Sequence, residues 1–190
     1  MILPIVAYGD PVLKKVGKEI NKDYPGLETL LENMWQTMYN SQGVGLAAPQ
    51  IGKSIRLFLV DASPFADEED PETKHLANFK RVFINPTIVE ESGPEWNFEE
   101  GCLSIPDVRE DVSRQPDVVL EYFDENWEKH KETFTGLAAR VIQHEYDHIE
   151  GILFTDHLSG LRKRLLKGKL NNISKGKVSV DYRMRFPQLK

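Results

Sequence analysis

The sequence predicts an α+β fold in which short, mostly antiparallel strands pack around one central helix that carries an HExxH pattern. The first observation is a helical repeat of apolar residues over 136–151, the segment that also contains His144 and His148. The second is a set of short runs rich in β-branched and aromatic residues, bounded by turn residues. The chain shows no internal repeat and no dividing linker, so we expect one domain over 1–190, with a basic C-terminal helix and tail at about 160–190.

The first helix is predicted within residues 25–43. Apolar residues recur there at the i, i+3, i+4, i+7 spacing of an amphipathic helix, with Pro25 at its start and Gly43 near its end. The apolar stripe consists of Leu27, Leu30, Leu31, Met34, Trp35 and Met38.

The strands are predicted between the helices. Residues 54–61 form a buried strand, and the acidic, proline-containing segment 62–80 forms a surface loop. Residues 82–92 give one or two short strands, and 117–135 forms a hairpin that turns at residues 124–126. A second long helix then runs from a Thr135 cap to Gly151, and a third, basic helix begins at about Ser159.

Composition places the chain among globular proteins. Its 190 residues are 40% hydrophobic and 28% charged, which is enough for one domain with a core. Cys102 is the only cysteine, so no internal disulfide can form, and a reducing cytoplasm is expected. The N-terminal apolar run is broken by Pro4 and lacks a basic flank, so we do not expect a secretory signal, and no apolar run is long enough for a membrane span.

Charge is distributed unevenly along the chain. The formal net charge is −6, yet residues 161–190 contain ten Lys or Arg and only one acid, Asp181. A basic tail on an acidic body suggests contact with an anionic partner, and the alternative that remains open is a solvated helix end.

The predicted central helix carries the chemistry. His144 and His148 are four residues apart, so both imidazoles can bind one metal ion from the same face, and Glu145 between them can reach a metal-bound water. Val141 and Leu137 lie one and two turns earlier on this face, respectively. Asp147 is either a partner of the ligands or an exposed acid.

A third ligand has to come from elsewhere in the chain. The extended pattern HExxHxxGxxH fails because its last position is Phe154, and no glutamate follows Glu150. Asp156 and His157 stay open as alternatives. The single cysteine, Cys102, follows a turn glycine in an extended apolar segment, and we predict it as the third ligand.

Three sequence blocks resemble those of the peptide deformylases. They are GVGLAAPQ (43–50), EGCLSIP (100–106) and QHEYDHIEG (143–151), and the segments DPVLKKV (10–16) and FINP (83–86) are also similar. The resemblance covers most of residues 1–160. The acidic loop 62–80 and the long C-terminal tail depart from the family pattern.

The resemblance implies an enzyme that removes the formyl group from the N-terminal formyl-methionine of newly made bacterial proteins. Cys102, His144 and His148 would bind one divalent metal ion, Fe²⁺ in the cell, with Zn²⁺, Ni²⁺ or Co²⁺ as substitutes. Glu145 would act as base and then acid. The Gln50 amide and the Leu103 backbone N–H would stabilise the oxyanion.

Substrate contacts and partners are also implied by this resemblance. Val44 and Gly45 would pair with the extended formyl-methionyl peptide, whose side chain needs an apolar pocket formed by Leu137 and Val141. Glu100 and Arg109 occupy family-matching positions beside the cysteine, although Arg109 is equally well explained as an exposed charge. The basic tail suggests docking on the ribosome.

Two other functions use the same residues. A metallopeptidase applies HExxH chemistry to a different carbonyl, and formylated and unblocked peptides distinguish the two activities. A structural metal site normally has four protein ligands, and the sequence offers no obvious fourth.

Overall fold

The computed structural model describes residues 1–187 and contains three α-helices and nine strands within that range. The helices are α1 (Leu27–Asn40), α2 (Gly136–Ile149) and α3 (Gly160–Ser174). The strands are β1 (Ile5–Val6), β2 (Gly45–Ala47), β3 (Leu57–Asp61), β4 (Lys80–Ser92), β5 (Trp96–Cys102), β6 (Ile105–Arg114), β7 (Asp117–Phe123), β8 (Lys129–Thr135) and β9 (Met184–Arg185).

The largest sheet has the strand order β2-β3-β4-β7-β8, and all its pairings are antiparallel. A second pairing joins β5 and β6 as an antiparallel hairpin. The short strands β1 and β9 pair in parallel and so join the two ends of the described chain. The predicted α+β class with mostly antiparallel strands is confirmed.

Local structure follows the predicted pattern for the helices and the β7–β8 hairpin. The segment 82–92 differs, because it belongs to one 13-residue strand whose register shifts near Pro86. Proline has no N–H to donate to the ladder, which fits an irregularity at this point. The 62–80 segment is also more ordered than a plain loop, since it contains short 3₁₀ helices at Ser63–Phe65 and Lys74–Asn78.

The core positions helix α2 against the large sheet. A cluster of buried residues from the sheet, including Phe58 and Phe83, packs against Ala139 and Ile142 of the helix. A second cluster lies under α1, and a third joins β6 to α3. Every residue of α2 from Ala138 to Glu145 is therefore buried.

Helix α2 ends where the chain must pass close to another segment. Gly151 has φ +73°, and a Cβ there would lie 2.6 Å from the carbonyl oxygen of Lys14. Only glycine fits this close left-handed turn, which fixes the end of the helix just after the second histidine. No helix among residues 1–187 is long and apolar enough to cross a membrane.

Candidate active site

Helix α2 and the β5–β6 turn together form a candidate metal site. Ligand atoms of Cys102, His144 and His148 all lie within 4.8 Å of one another, and Cys102 Sγ is 3.3 Å from His148 Nε2. A thiolate with two imidazoles at these separations fits the three-ligand set of a catalytic metal ion. The fold therefore brings together the three residues that the sequence predicted as metal ligands.

The two histidines differ in their surroundings. Burial lowers the pKa of His148 well below its ordinary value, so its imidazole is neutral and able to ligate. His144 Nδ1 lies 2.9 Å from Glu100 Oε1, which leaves its other ring nitrogen for the metal. Burial alone would lower the pKa of His144, but hydrogen bonds to Cys102 and Glu100 raise this pKa well above the ordinary value of a histidine.

Glu100 forms the centre of a buried ionic network. Arg114 donates to both of its carboxylate oxygens, at 2.7 and 3.0 Å, and Arg140 Nη1 donates to Oε2 at 2.9 Å. Burial alone would raise the pKa of Glu100, but the hydrogen bonds from His144 and Arg114 hold it far below the usual range. Glu100 lines the cavity, and Arg114, Arg140 and His144 all contact its carboxylate, which fixes the orientation of the His144 ring.

Asp147 belongs to the same ionic network, and the two alternative third ligands, Asp156 and His157, are engaged away from the metal site. Arg114 Nη1 donates to Asp147 Oδ2 at 2.9 Å, and His157 Nε2 lies 2.8 Å from the same oxygen. Asp156 instead pairs with Lys14 Nζ at 2.5 Å. Neither Asp156 nor His157 lies in the cysteine–histidine cluster, which leaves Cys102 as the third donor.

Glu145 lies buried beside this cluster. Burial raises the pKa of its carboxyl group to about 7, and its Oε2 has no hydrogen-bond partner within residues 1–187. Gly45 of β2 packs directly against it, since a Cβ on Gly45 would lie 2.5 Å from Glu145 Oε1. A buried carboxyl group with one free oxygen is suited to accept and return a proton in the site.

Gln50 lies beside the cysteine. Its Oε1 accepts from Ala47 N at 3.0 Å, which turns the amide nitrogen toward Cys102 Sγ and Ser104 Oγ, at 3.5 and 3.3 Å. Leu103 follows Cys102 in the turn between β5 and β6, and its carbonyl oxygen accepts from the Tyr182 hydroxyl at 2.8 Å. Both predicted oxyanion donors are thus next to the candidate metal ligands.

A cavity of about 900 Å³ opens onto this site. Val44, Gly45 and Val141 line it, as the sequence suggested, and β2 is the edge strand of the large sheet. Leu137 does not line the cavity and packs against the first hydrophobic cluster, so its expected place in a methionine pocket is not supported. Arg109 lies at the mouth, mostly exposed, and pairs with Glu99 at 2.9 Å.

Sequence reasoning missed several residues of this site. Arg114 and Arg140 hold Glu100, and the segment 179–182 forms part of the cavity wall. Arg140 had one usable signal, because it precedes His144 by four residues on the same helical face. The other contacts join segments far apart in the chain and have no local pattern.

Comparison with known proteins relates the whole chain to one family. The sequence profile of the family described as polypeptide deformylase matches residues 2–164. A peptide deformylase of Christiangramia forsetii is 68% identical and one of Flavobacterium johnsoniae is 60% identical, each over 100% of this chain and 98% of its own.

Solved structures show the same relationship. A crystal structure of a peptide deformylase from Legionella pneumophila superposes with a TM-score of 0.79 at 37% identity, covering 93% of this chain and 98% of its own. The peptide deformylase from Thermus thermophilus gives a TM-score of 0.80 at 36% identity, covering 93% and 99%.

Proposed function

The chain belongs to the polypeptide deformylase family, and we propose that Cys102, His144 and His148 hold its catalytic metal ion while Glu145 transfers the proton. It is a hydrolase that removes the N-formyl group from newly made proteins. The observation that supports this assignment is the convergence of three ligand atoms beside a buried carboxylate oxygen without a protein partner.

Each side chain has a defined part in the proposed reaction. When bound, the metal ion activates water and polarises the formyl carbonyl. Glu145 accepts a proton from the water and returns it to the departing amine. The Gln50 amide and the Leu103 backbone N–H donate to the oxygen on which negative charge develops. Glu100 holds the His144 ring in the orientation that presents its free nitrogen to the site.

The substrate would lie along the open edge of β2. Val44 and Gly45 are on this edge, where an extended peptide can add as a further strand. Val141 presents an apolar surface to the same cavity and would contact the methionine side chain. Arg109 lies at the rim, where it would meet the peptide only after its pair with Glu99 opens.

The assignment is tested with peptides that differ only at their N-terminus. Formate release from a formyl-methionyl peptide, together with no cleavage of the unblocked peptide, is the expected result. Metal analysis of protein purified without oxygen should give one divalent ion per chain, and Cys102→Ala should lower that content. Hydrolysis of internal peptide bonds would contradict the assignment and favour a metallopeptidase.

Fe²⁺ is the proposed ion in the cell, with Zn²⁺, Ni²⁺ or Co²⁺ as substitutes. A donor set of one thiolate and two imidazoles accepts all four ions, so occupancy should follow their availability. An iron–thiolate site is sensitive to oxidation at both the metal and Cys102. Under the same peroxide concentration the iron form should lose activity faster than the nickel form, and equal half-lives would argue against iron.

The partners proposed are formyl-methionyl nascent chains and the ribosome. Helix α3 exposes Lys163, Arg164 and Lys167, and none of them forms an ion pair with another described residue. Arg162, by contrast, pairs with Glu110. A row of unpaired cations suits a phosphate backbone, with an affinity that falls as salt rises.

Charge reversal tests this docking without shortening the fold. Reversal at Lys163, Arg164 and Lys167 should reduce co-sedimentation with ribosomes and leave deformylation of a short peptide unchanged. A matched control reverses three exposed, unpaired lysines elsewhere, at positions 15, 22 and 53. Equal losses in both variants, or binding insensitive to salt, would mean that α3 has no specific role.

Two further proposals concern organisation and location. Pairing of β1 with β9 joins residues near both ends, which supports a single domain over residues 1–190, although 188–190 lie outside the described range. A nascent-chain substrate and an unpaired Cys102 support a cytoplasmic location. Cell fractionation of the native protein, with a cytoplasmic marker, tests the proposed location.

A further inference from the structure

The segment that follows α3 returns to the active site. Its strand β9 pairs with β1, and Ile5 N donates to Arg183 O at 2.9 Å. Just before this strand, the wall segment (residues 179–182) lines the same cavity as Cys102 and Glu145. It lies beyond residue 164, where the match to the family profile ends.

Tyr182 links the wall segment to the cysteine turn through its side chain. Its hydroxyl donates to the carbonyl oxygen of Leu103 at 2.8 Å, and its ring is half-buried. A tyrosine hydroxyl is protonated at neutral pH, so it serves as a steady donor. The bond joins residues 79 positions apart in the chain.

The turn that receives this bond is irregular and carries two functional residues. The β5–β6 register shifts between Gly101 and Cys102, directly before Leu103. Ser104 is fixed separately, because its carbonyl oxygen accepts from Tyr8 N at 2.8 Å. The Leu103 side chain also packs close to Gly43, where an added Cβ would lie 2.8 Å from its Cδ1. A change in the orientation of Leu103 would therefore alter both the proposed oxyanion donor, its backbone N–H, and the contact of its side chain with Gly43.

We propose that Tyr182 is a positioning residue for deformylation, which holds the Leu103 carbonyl and thereby sets the Cys102–Leu103 turn in its reactive orientation. This inference rests on the proposed role of Leu103 as an oxyanion donor. Tyr182 acts through that turn and does not itself contact the reacting atoms. An element outside the family profile thus completes the active site.

The test compares Tyr182→Phe with wild type, since phenylalanine keeps the ring and removes only the hydroxyl. Loss of one hydrogen bond predicts about a fivefold fall in kcat with KM unchanged within about twofold. Amide hydrogen exchange should become faster in the peptide covering residues 101–105 and stay the same in α2. Tyr24→Phe is the matched control, because the Tyr24 ring is likewise half-buried and its hydroxyl has no hydrogen-bond partner among residues 1–187.

The outcomes separate this inference from the proposed function. Wild type that releases no formate would overturn the function itself, whatever Tyr182 does. Active wild type with an unchanged Tyr182→Phe variant, in both kcat and exchange, would overturn only the positioning role. A fall in activity that matches a lowered Tm, with exchange faster throughout the protein, would make Tyr182 a purely structural residue.

Discussion

Gly45→Ala should disable catalysis while leaving the metal in place. Gly45 faces Glu145 across the site, and an added Cβ would lie 2.5 Å from Oε1 and 2.8 Å from the Cγ and Cδ atoms. Ordinary van der Waals contact begins at 3.4 Å, so the methyl group would be about 0.9 Å too close to the carboxylate oxygen. Since Gly45 belongs to a paired strand, the Glu145 side chain is the part that must move.

The size of the effect follows from this displacement. A catalytic group misplaced by about 1 Å costs on the order of 10²-fold in rate, so kcat should fall about 100-fold. The clash also reaches Cγ of the buried Glu145 side chain, so the loss in unfolding free energy should be about 1–3 kcal/mol. The three atoms nearest the new methyl group all belong to Glu145 and none to Cys102, His144 or His148, so metal content should stay unchanged.

Steady-state formate release measures kcat, metal analysis measures the metal content, and thermal unfolding measures the loss of stability. Gly168→Ala is the matched control, because nothing lies within 4 Å of its Cβ position and the residue is inside α3. That control should keep full activity and gain about 0.5–1 kcal/mol of stability, since alanine is the better helix former. A Gly45→Ala enzyme with kcat within about threefold of wild type would refute the argument, as would loss of its metal.

Three further changes test other parts of the site and fold. Cys102→Ser should retain the fold but bind metal far more weakly, because a hydroxyl is a poor ligand, and equal metal content would make Cys102 a packing residue. Glu145→Gln should keep the metal and lose about 10² to 10⁴ in kcat, whereas near-normal turnover would exclude it as the acid–base group. Burial alone would raise the pKa of Asp61, but hydrogen bonds from Ser63 and Tyr39 lower it. Its stabilisation is therefore complete above the unfolded value of about 3.9 and is lost as pH falls through the lower folded value. The difference in unfolding free energy between wild type and Asp61→Asn should narrow below about pH 4, and a constant difference from pH 2 to 7 would contradict this.

Helix α2 and its ligand pair were predictable because their signals are local. The helical repeat and the spacing of His144 and His148 both lie within residues 136–149, and one helix face has to hold them. The hairpin of β7 and β8 is likewise encoded by two alternating runs around a turn. For such segments, neighbouring residues alone determine the conformation.

The β5–β6 hairpin gave no comparable signal. Many of its residues are charged, and much of its surface is exposed, so the alternation of apolar and polar residues is weak. Its pairing depends on contacts with distant segments, such as the bond from Tyr8 N to Ser104 O. The sequence therefore predicted a turn glycine and an extended segment beside Cys102, but not the β5–β6 pairing that presents the cysteine to the site.

The position of Glu100 shows why the remaining part of the site requires the fold. A buried carboxylate is unfavourable unless charged partners surround it, and here Arg114 comes from β6 and Arg140 from α2. The three residues are separated in sequence but meet because the hairpin lies against the helix. Glu100 Oε1 contacts both Arg114 Nη2 and His144 Nδ1, so the carboxylate that joins the hairpin to the helix also orients the His144 ring. The substrate contact predicted from its place beside Cys102 stays a prediction, since the sequence did not reveal the two arginines that hold this carboxylate.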